Sequence, residues 1–170
     1  MAAEELVDHV DDHDRVIGVV TRAEVRARTL AHRAVYVLVV DRRGRVLLQQ
    51  RSPTKDVAPG CWDIGAGGVV GAGEAYDEAA RRELAEELGV HDATIDALGP
   101  CRYASDTLHV HGRAYRVVHD GPFAFSDGEV IGVEWVSADD LPAVVRDRPF
   151  VEDSPEILLP HTASLRTRTS

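Results

Sequence analysis

The chain has little of what would cross-link it or send it out of the cell. Its 170 residues include two cysteines, Cys61 and Cys101. Two thiols cannot build a disulfide framework, so a reduced, cytoplasmic setting is expected. No apolar run approaches the roughly eighteen residues that a membrane span requires. The first residues, MAAEELVDHVDDHD, are acidic where a secretory signal would be basic and then apolar. Basic charge is also scarce: 19 Lys and Arg stand against 29 Asp and Glu, Lys55 is the single lysine, and the net charge is −10. A nucleic-acid polymer is therefore not the expected partner, nor is a membrane. Repeats and low-complexity segments are absent. With 44% hydrophobic and 28% charged residues, the chain has the composition of one soluble globular domain.

An acidic protein can still bind phosphates, because carboxylates hold divalent ions and the ions meet the phosphates. The pattern along the chain predicts a mixed α/β domain. Residues 4–21 read as two short strands around the polar turn Asp11-Asp12-His13-Asp14. A brief helix over 21–29 follows, with Thr21 as N-cap and Glu24 placed for a capping box. These first 30 residues are expected to pack on a main domain spanning 31–165, leaving 166–170 as a disordered tail. Ala34 to Val40 is continuously apolar and β-branched, which predicts a strand covered on both faces. A hairpin over 41–44 returns it along Arg45 to Gln50. Then come a loop over 51–60 and a glycine-dense passage, GCWDIGAGGVVGAGE. Tyr76 to Leu88 is the clearest helix, ended by Gly89. Strands are expected near 94–98, 102–110, 113–119 and 130–136. Short helices should cover 139–146, capped by Ser137, and start at Ser154-Pro155-Glu156.

The segment from Gly68 to Val90 carries the chemistry. Gly68 is followed after five residues by Glu74, after seven more by Arg82-Glu83-Leu84, then by Glu86-Glu87 and Gly89-Val90. Glu83, Glu86 and Glu87 stand at i, i+3 and i+4, so they share one helix face. Ala80, Leu84 and Leu88 form the neighbouring face, which can anchor the helix on a sheet. Three adjacent acids repel one another unless a cation neutralises them, and hard oxygen ligands suit Mg²⁺ or Mn²⁺. Alone, such a trio is an ordinary solvated helix face. The whole spacing alters the reading.

That spacing resembles, without a departure, the signature of the Nudix hydrolases. The resemblance implies an α/β/α sandwich around a mixed sheet and hydrolysis of a nucleoside diphosphate linked to another moiety. It also implies Glu83, Glu86 and Glu87 as metal ligands, with the Gly68 carbonyl as a further candidate. Arg82 would hold a glutamate by a bidentate contact, with Glu74 as partner. The expected substrate is a small nucleotide, and the expected reaction is water attack on a phosphoanhydride with Mg²⁺ or Mn²⁺ bound. No nucleophile constellation calls for a covalent intermediate.

A longer likeness covers roughly residues 4–90, with an echo at Glu129 to Trp135. His32-Arg33, Gln50 to Lys55, and Pro59-Gly60-Cys61-Trp62 resemble the isopentenyl-diphosphate isomerase branch of that superfamily. By position, Arg51 and Lys55 would contact a diphosphate. The isomerase's cysteine falls at Gly67 and its following histidine at Val69, so its proton-transfer chemistry has no carrier here. Isomerisation and a non-catalytic nucleotide sensor remain the alternative functions. Glu129 and Glu134 are candidates for the base. His109 and His111 alternate on a strand, as pocket wall or metal pair. Trp62 and Trp135 are candidates for core packing or base stacking.

Overall fold

The computed structural model describes residues 4–166. Strands β1 (Leu6–Val10) and β2 (Val16–Thr21) form an antiparallel hairpin, and α1 (Arg22–Arg28) follows. Thr21 Oγ1 accepts from Glu24 N at 3.1 Å while Glu24 Oε2 accepts from Thr21 N at 2.8 Å, which is the capping box expected there.

Strand β3 (His32–Val40) runs through the centre. Its alternation feeds two cores: Ala34, Tyr36, Leu38 and Val40 face one, and Val35, Val37 and Val39 face the other. Strand β6 (Ala66–Val69) pairs antiparallel with it on one side, and β8 (His109–Val118) pairs parallel on the other. Strand β7 (Asp96–Ala104) borders β8. Strand β4 (Val46–Arg51) leaves β3 after the pair Val40 and Val46, and builds an antiparallel unit with β5 (Trp62–Ile64) and β9 (Val130–Val136). Helix α2 (Tyr76–Leu88) buries Ala79, Ala80, Leu84 and Leu88 in one core, and Gly89 closes it with φ 68°. Helices α3 (Leu141–Asp147) and α4 (Ser154–Leu158), then a 3₁₀ helix over Leu159–Leu165, complete the other side. Helices thus cover both faces of a mixed sheet.

Three expectations need correction. The glycine-dense passage, which the sequence pattern leaves without a strand, contains two, β5 and β6. The stretches expected as strands over 94–98, 102–110 and 113–119 are two long strands, β7 and β8, with the turn at 105–108. Pro100 lies inside β7 and is tolerated because β7 is an edge strand, paired with β8 alone. Helix α3 begins at Leu141 rather than 139, and Ser137 Oγ accepts from Asp140 N at 3.1 Å just ahead of it. The tail expectation for 167–170 lies outside the described residues, while Arg166 caps the 3₁₀ helix.

Candidate active site

Four segments converge on a cavity of about 540 Å³. They are the start of β3, the β4–β5 loop, the glycine-rich β6, and the acidic face of α2. Residues from α1, β5, the turn before β8, Glu129 and the stretch 150–154 add to its lining.

Arg82 organises the α2 side. Its Nε donates to Glu74 Oε1 at 2.8 Å and its Nη2 to Glu74 Oε2 at 3.0 Å, a bidentate fork. Nη2 also donates to the Val69 carbonyl at 3.1 Å, and Nη1 donates to Glu83 Oε1 at 2.8 Å. Glu74 Oε2 in turn accepts from Gly71 N at 2.8 Å. The loop, β6 and the helix are therefore joined through one guanidinium. These bonds hold the Glu74 carboxyl below the usual carboxylate range, and the surrounding carboxylates hold Arg82 firmly protonated.

Glu83 and Glu87 are 7% and 6% exposed, and their carboxyls face one another at the cavity. Burial first, and mutual repulsion for Glu87, push both toward the neutral form. Gln49, on β4 and 1% exposed, donates from Nε2 to Glu87 Oε2. Gly68 lies directly under Glu83: a Cβ there would overlap Glu83 Oε1. Glycine is thus what lets this carboxyl seat on β6. Glu86 stands apart, its side chain 49% exposed and reached by Arg82 Nη1 at 3.3 Å. Among the described residues no three His, Cys, Asp or Glu side chains cluster around one point, so the structure brings two of the three expected glutamates together.

The donor set fits a hard divalent ion nonetheless. Two adjacent buried carboxylates supply hard oxygen ligands, and an ion of +2 charge would relieve their repulsion.

Across the cavity, Arg51 donates from Nη2 to the Val57 carbonyl at 2.8 Å, and Lys55 Nζ pairs with Glu129 Oε2 at 3.0 Å. All three side chains line the cavity. Glu134 does not; it is held bidentately by Arg148 at 2.7 and 3.1 Å. Trp62 lies under that same Arg148, 4.9 Å from the ring centre, and Trp135 lies under Arg45 at 5.6 Å. Neither tryptophan lines the cavity. His109 borders it, whereas His111 lines a separate shallow cleft with Cys101 and Arg113. His32 is buried at the rim, its Nδ1 2.9 Å from the Leu30 carbonyl, and burial lowers its pKa.

Residues outside the motif also enter the cavity, and no local sequence signal marked them. Asp63 on β5 is pushed up to about 6 by burial and by nearby Asp153. Tyr36 Oη donates to Asp153 Oδ2 at 2.6 Å. Gly67 bears on the isomerase comparison, because a Cβ at that position would overlap the Val35 carbonyl oxygen. A cysteine does not fit there with β3 where it is.

Sheet, helix and motif define a Nudix domain, and comparison agrees: the NUDIX domain family matches residues 30–154. The chain belongs to the Nudix family and is a Nudix hydrolase. It is 40% identical over 154 residues to the uncharacterized Nudix hydrolase YfcD of Shigella flexneri, covering 91% of this chain and 84% of that one. The Escherichia coli K12 protein of the same name is 39% identical over the same shares. Among solved structures, DR0079 from Deinococcus radiodurans superposes with a TM-score of 0.75 at 25% identity, covering 96% of this chain and all of that one. No helix among the described residues is long and apolar enough to cross a membrane.

Proposed function

We propose that this protein uses Mg²⁺ or Mn²⁺ to cleave a phosphoanhydride bond in a nucleoside di- or triphosphate or a related derivative, by attack of water. The observation that carries this reading is the pair of buried carboxylates, Glu83 and Glu87, set in the wall of a cavity whose facing loop bears Arg51 and Lys55. Glu83, Glu86 and Glu87 would hold the ion, with the Gly68 carbonyl beside them. When bound, the ion supplies positive charge to the diphosphate oxygens and makes a water molecule more acidic.

The chain's own residues do the rest. Arg82 aims Glu83, holds the end of β6 by its bond to the Val69 carbonyl and, through Glu74, fixes the loop after β6 against the helix. Gln49 orients Glu87. Arg51 receives phosphate oxygens in exchange for the neutral Val57 carbonyl, and Lys55 in exchange for the Glu129 carboxylate. A carboxylate of the cavity takes the proton of the attacking water: Glu83, Glu87 and Glu129 all line it, and Glu134 does not. The fit at Gly67 favours hydrolysis over isomerisation, since the thiol an isomerase needs has no room.

The test is phosphate release from a panel of nucleotides with Mg²⁺, beside the same panel in excess chelator. Product analysis in ¹⁸O-labelled water then identifies the attacked phosphorus. Metal-independent release, or no release from any nucleotide, would refute the reading.

A further inference from the structure

The family match begins at residue 30, yet the chain ahead of it builds one wall of the cavity. Arg22, Val25, Arg26 and Thr29 all line it. Arg22, Val25 and Arg26 stand at i, i+3 and i+4, so one face of α1 is turned to the site, and Thr29 follows as the helix's C-cap. The helix is pinned at both ends: by the Thr21 and Glu24 capping box, and by Leu30 N donating to the Val25 carbonyl at 3.1 Å. Val25, at 7% exposure, anchors the middle.

That face carries two cations that differ in how the protein holds them. Arg22 Nη1 donates to Glu5 Oε2 at 3.1 Å. Arg26 Nη2 lies 4.0 Å from Asp56 Oδ2, at the outer limit of an ion pair, and the Asp56 side chain is 68% exposed. Lys55 has Glu129 at 3.0 Å and Arg51 has the Val57 carbonyl at 2.8 Å. Of the four cations lining the cavity, Arg26 is held most loosely. It also comes from a different element than Arg51 and Lys55 and leans on their loop only through Asp56. A loosely held guanidinium at the rim of a site that takes phosphates is best neutralised by a further anion.

We infer that α1 belongs to the site and that Arg26 is a specificity-determining residue for a third anionic group of the substrate, beyond the two phosphates joined by the scissile bond. The inference rests on the hydrolase reading above. A nucleoside triphosphate, or a diphosphate with an added phosphate, presents that group; a plain diphosphate does not. The third anion takes the place of Asp56 on Arg26, and Asp56, already mostly exposed, returns to water at little cost.

The experiment compares wild type, Arg26→Ala, Arg26→Lys and Arg28→Ala on matched nucleoside di- and triphosphates in Mg²⁺. Arg28 is exposed on the same helix and lies outside the cavity. Arg26→Ala should raise KM for the triphosphate about tenfold or more and leave the diphosphate within about twofold, with kcat kept. Arg26→Lys should recover most of the loss, and Arg28→Ala should change nothing. In parallel, calorimetry with the magnesium salts of inorganic pyrophosphate and tripolyphosphate reads binding without turnover. Tripolyphosphate should weaken selectively in Arg26→Ala. The inference is overturned if Arg26→Ala weakens both polyphosphates alike, or neither by more than about twofold. If wild type binds tripolyphosphate through Arg26 but hydrolyses no nucleotide, the hydrolase reading fails while the anion site stands.

Discussion

Replacing Arg82 by alanine should separate the helix from the loop it organises. The substitution removes the fork to Glu74 and the bonds to Glu83 and Val69 at once. Glu74 and Glu83 have side chains only 18% and 10% exposed, so water cannot fully replace the guanidinium. Removing one partner of a buried ion pair costs about 3–5 kcal/mol. Arg82 itself is 30% exposed, and screening lowers that to about 2–4 kcal/mol. In a chain of this size the loss corresponds to a fall in Tm of about 5–15 °C. Arg82→Lys keeps the charge without the planar fork and should recover only part of it.

Thermal unfolding as a function of pH supplies a second readout. The Arg82 bonds hold the Glu74 pKa below its ordinary value of 4.5. A carboxylate with a depressed folded pKa adds stability that is fully present above the unfolded value and is lost as pH falls through the folded one. Wild type should therefore lose Tm on acidification below about pH 4.5 more steeply than Arg82→Ala or Glu74→Gln. Turnover of Arg82→Ala, measured well below its Tm, should fall further than stability does, because Glu83 is no longer aimed. An alanine variant within about 2 °C of wild type at neutral pH, with the same acid limb, would refute the assignment of Arg82 as the joint between loop and helix.

Glu87→Gln should lose activity by orders of magnitude yet raise Tm in chelator at neutral pH and above, because wild type must either hold a proton on buried Glu87 or ionise it beside Glu83, and the amide does neither; Mg²⁺ should raise the Tm of wild type and not of this variant. A metal-free Tm below wild type in that pH range would contradict this argument. Gly67→Ala and Gly68→Ala form a contrasting pair: the first meets the Val35 backbone and should cost stability by about 1–3 kcal/mol, while the second meets only the movable Glu83 carboxyl. Gly68→Ala should therefore keep its fold by circular dichroism and lose turnover. Arg51→Ala and Lys55→Ala should each raise KM about ten- to a hundredfold; kinetics of both within twofold of wild type would make the loop a solvated connection. Incubation with isopentenyl diphosphate should yield no dimethylallyl diphosphate by chromatography, and enzyme-dependent isomer would overturn the reading of Gly67.

Much of the fold and the heart of the site were legible because they are written locally. The Arg82, Glu83, Glu86 and Glu87 pattern sits on a single helix, where a period of 3.6 residues converts spacing into a shared face. Strand β3 announced its central place through an unbroken run of apolar residues, since both of its faces are buried. Strands β5 and β6 were hidden because Gly65, Gly67 and Gly68 break the apolar alternation that marks a strand. A Cβ at Gly65 or Gly67 would overlap β3 carbonyl oxygens, so those glycines answer to a neighbouring strand. Strand β8 was obscured by Gly112, where a Cβ would come 2.9 Å from the Ala34 carbonyl and the Tyr36 ring.

By itself, then, the sequence determined the acidic helix, its glycine-bearing loop and the alternation that makes β3 central, because each depends on residues near one another in the chain. Only the tertiary structure decided that Glu83 and Glu87 meet while Glu86 turns outward, that Glu129 faces the cavity and Glu134 does not, and that α1, Asp63 and Asp153 join the lining. Those outcomes depend on how separate elements pack, and side-chain burial and direction across such contacts have no period that a linear pattern can carry.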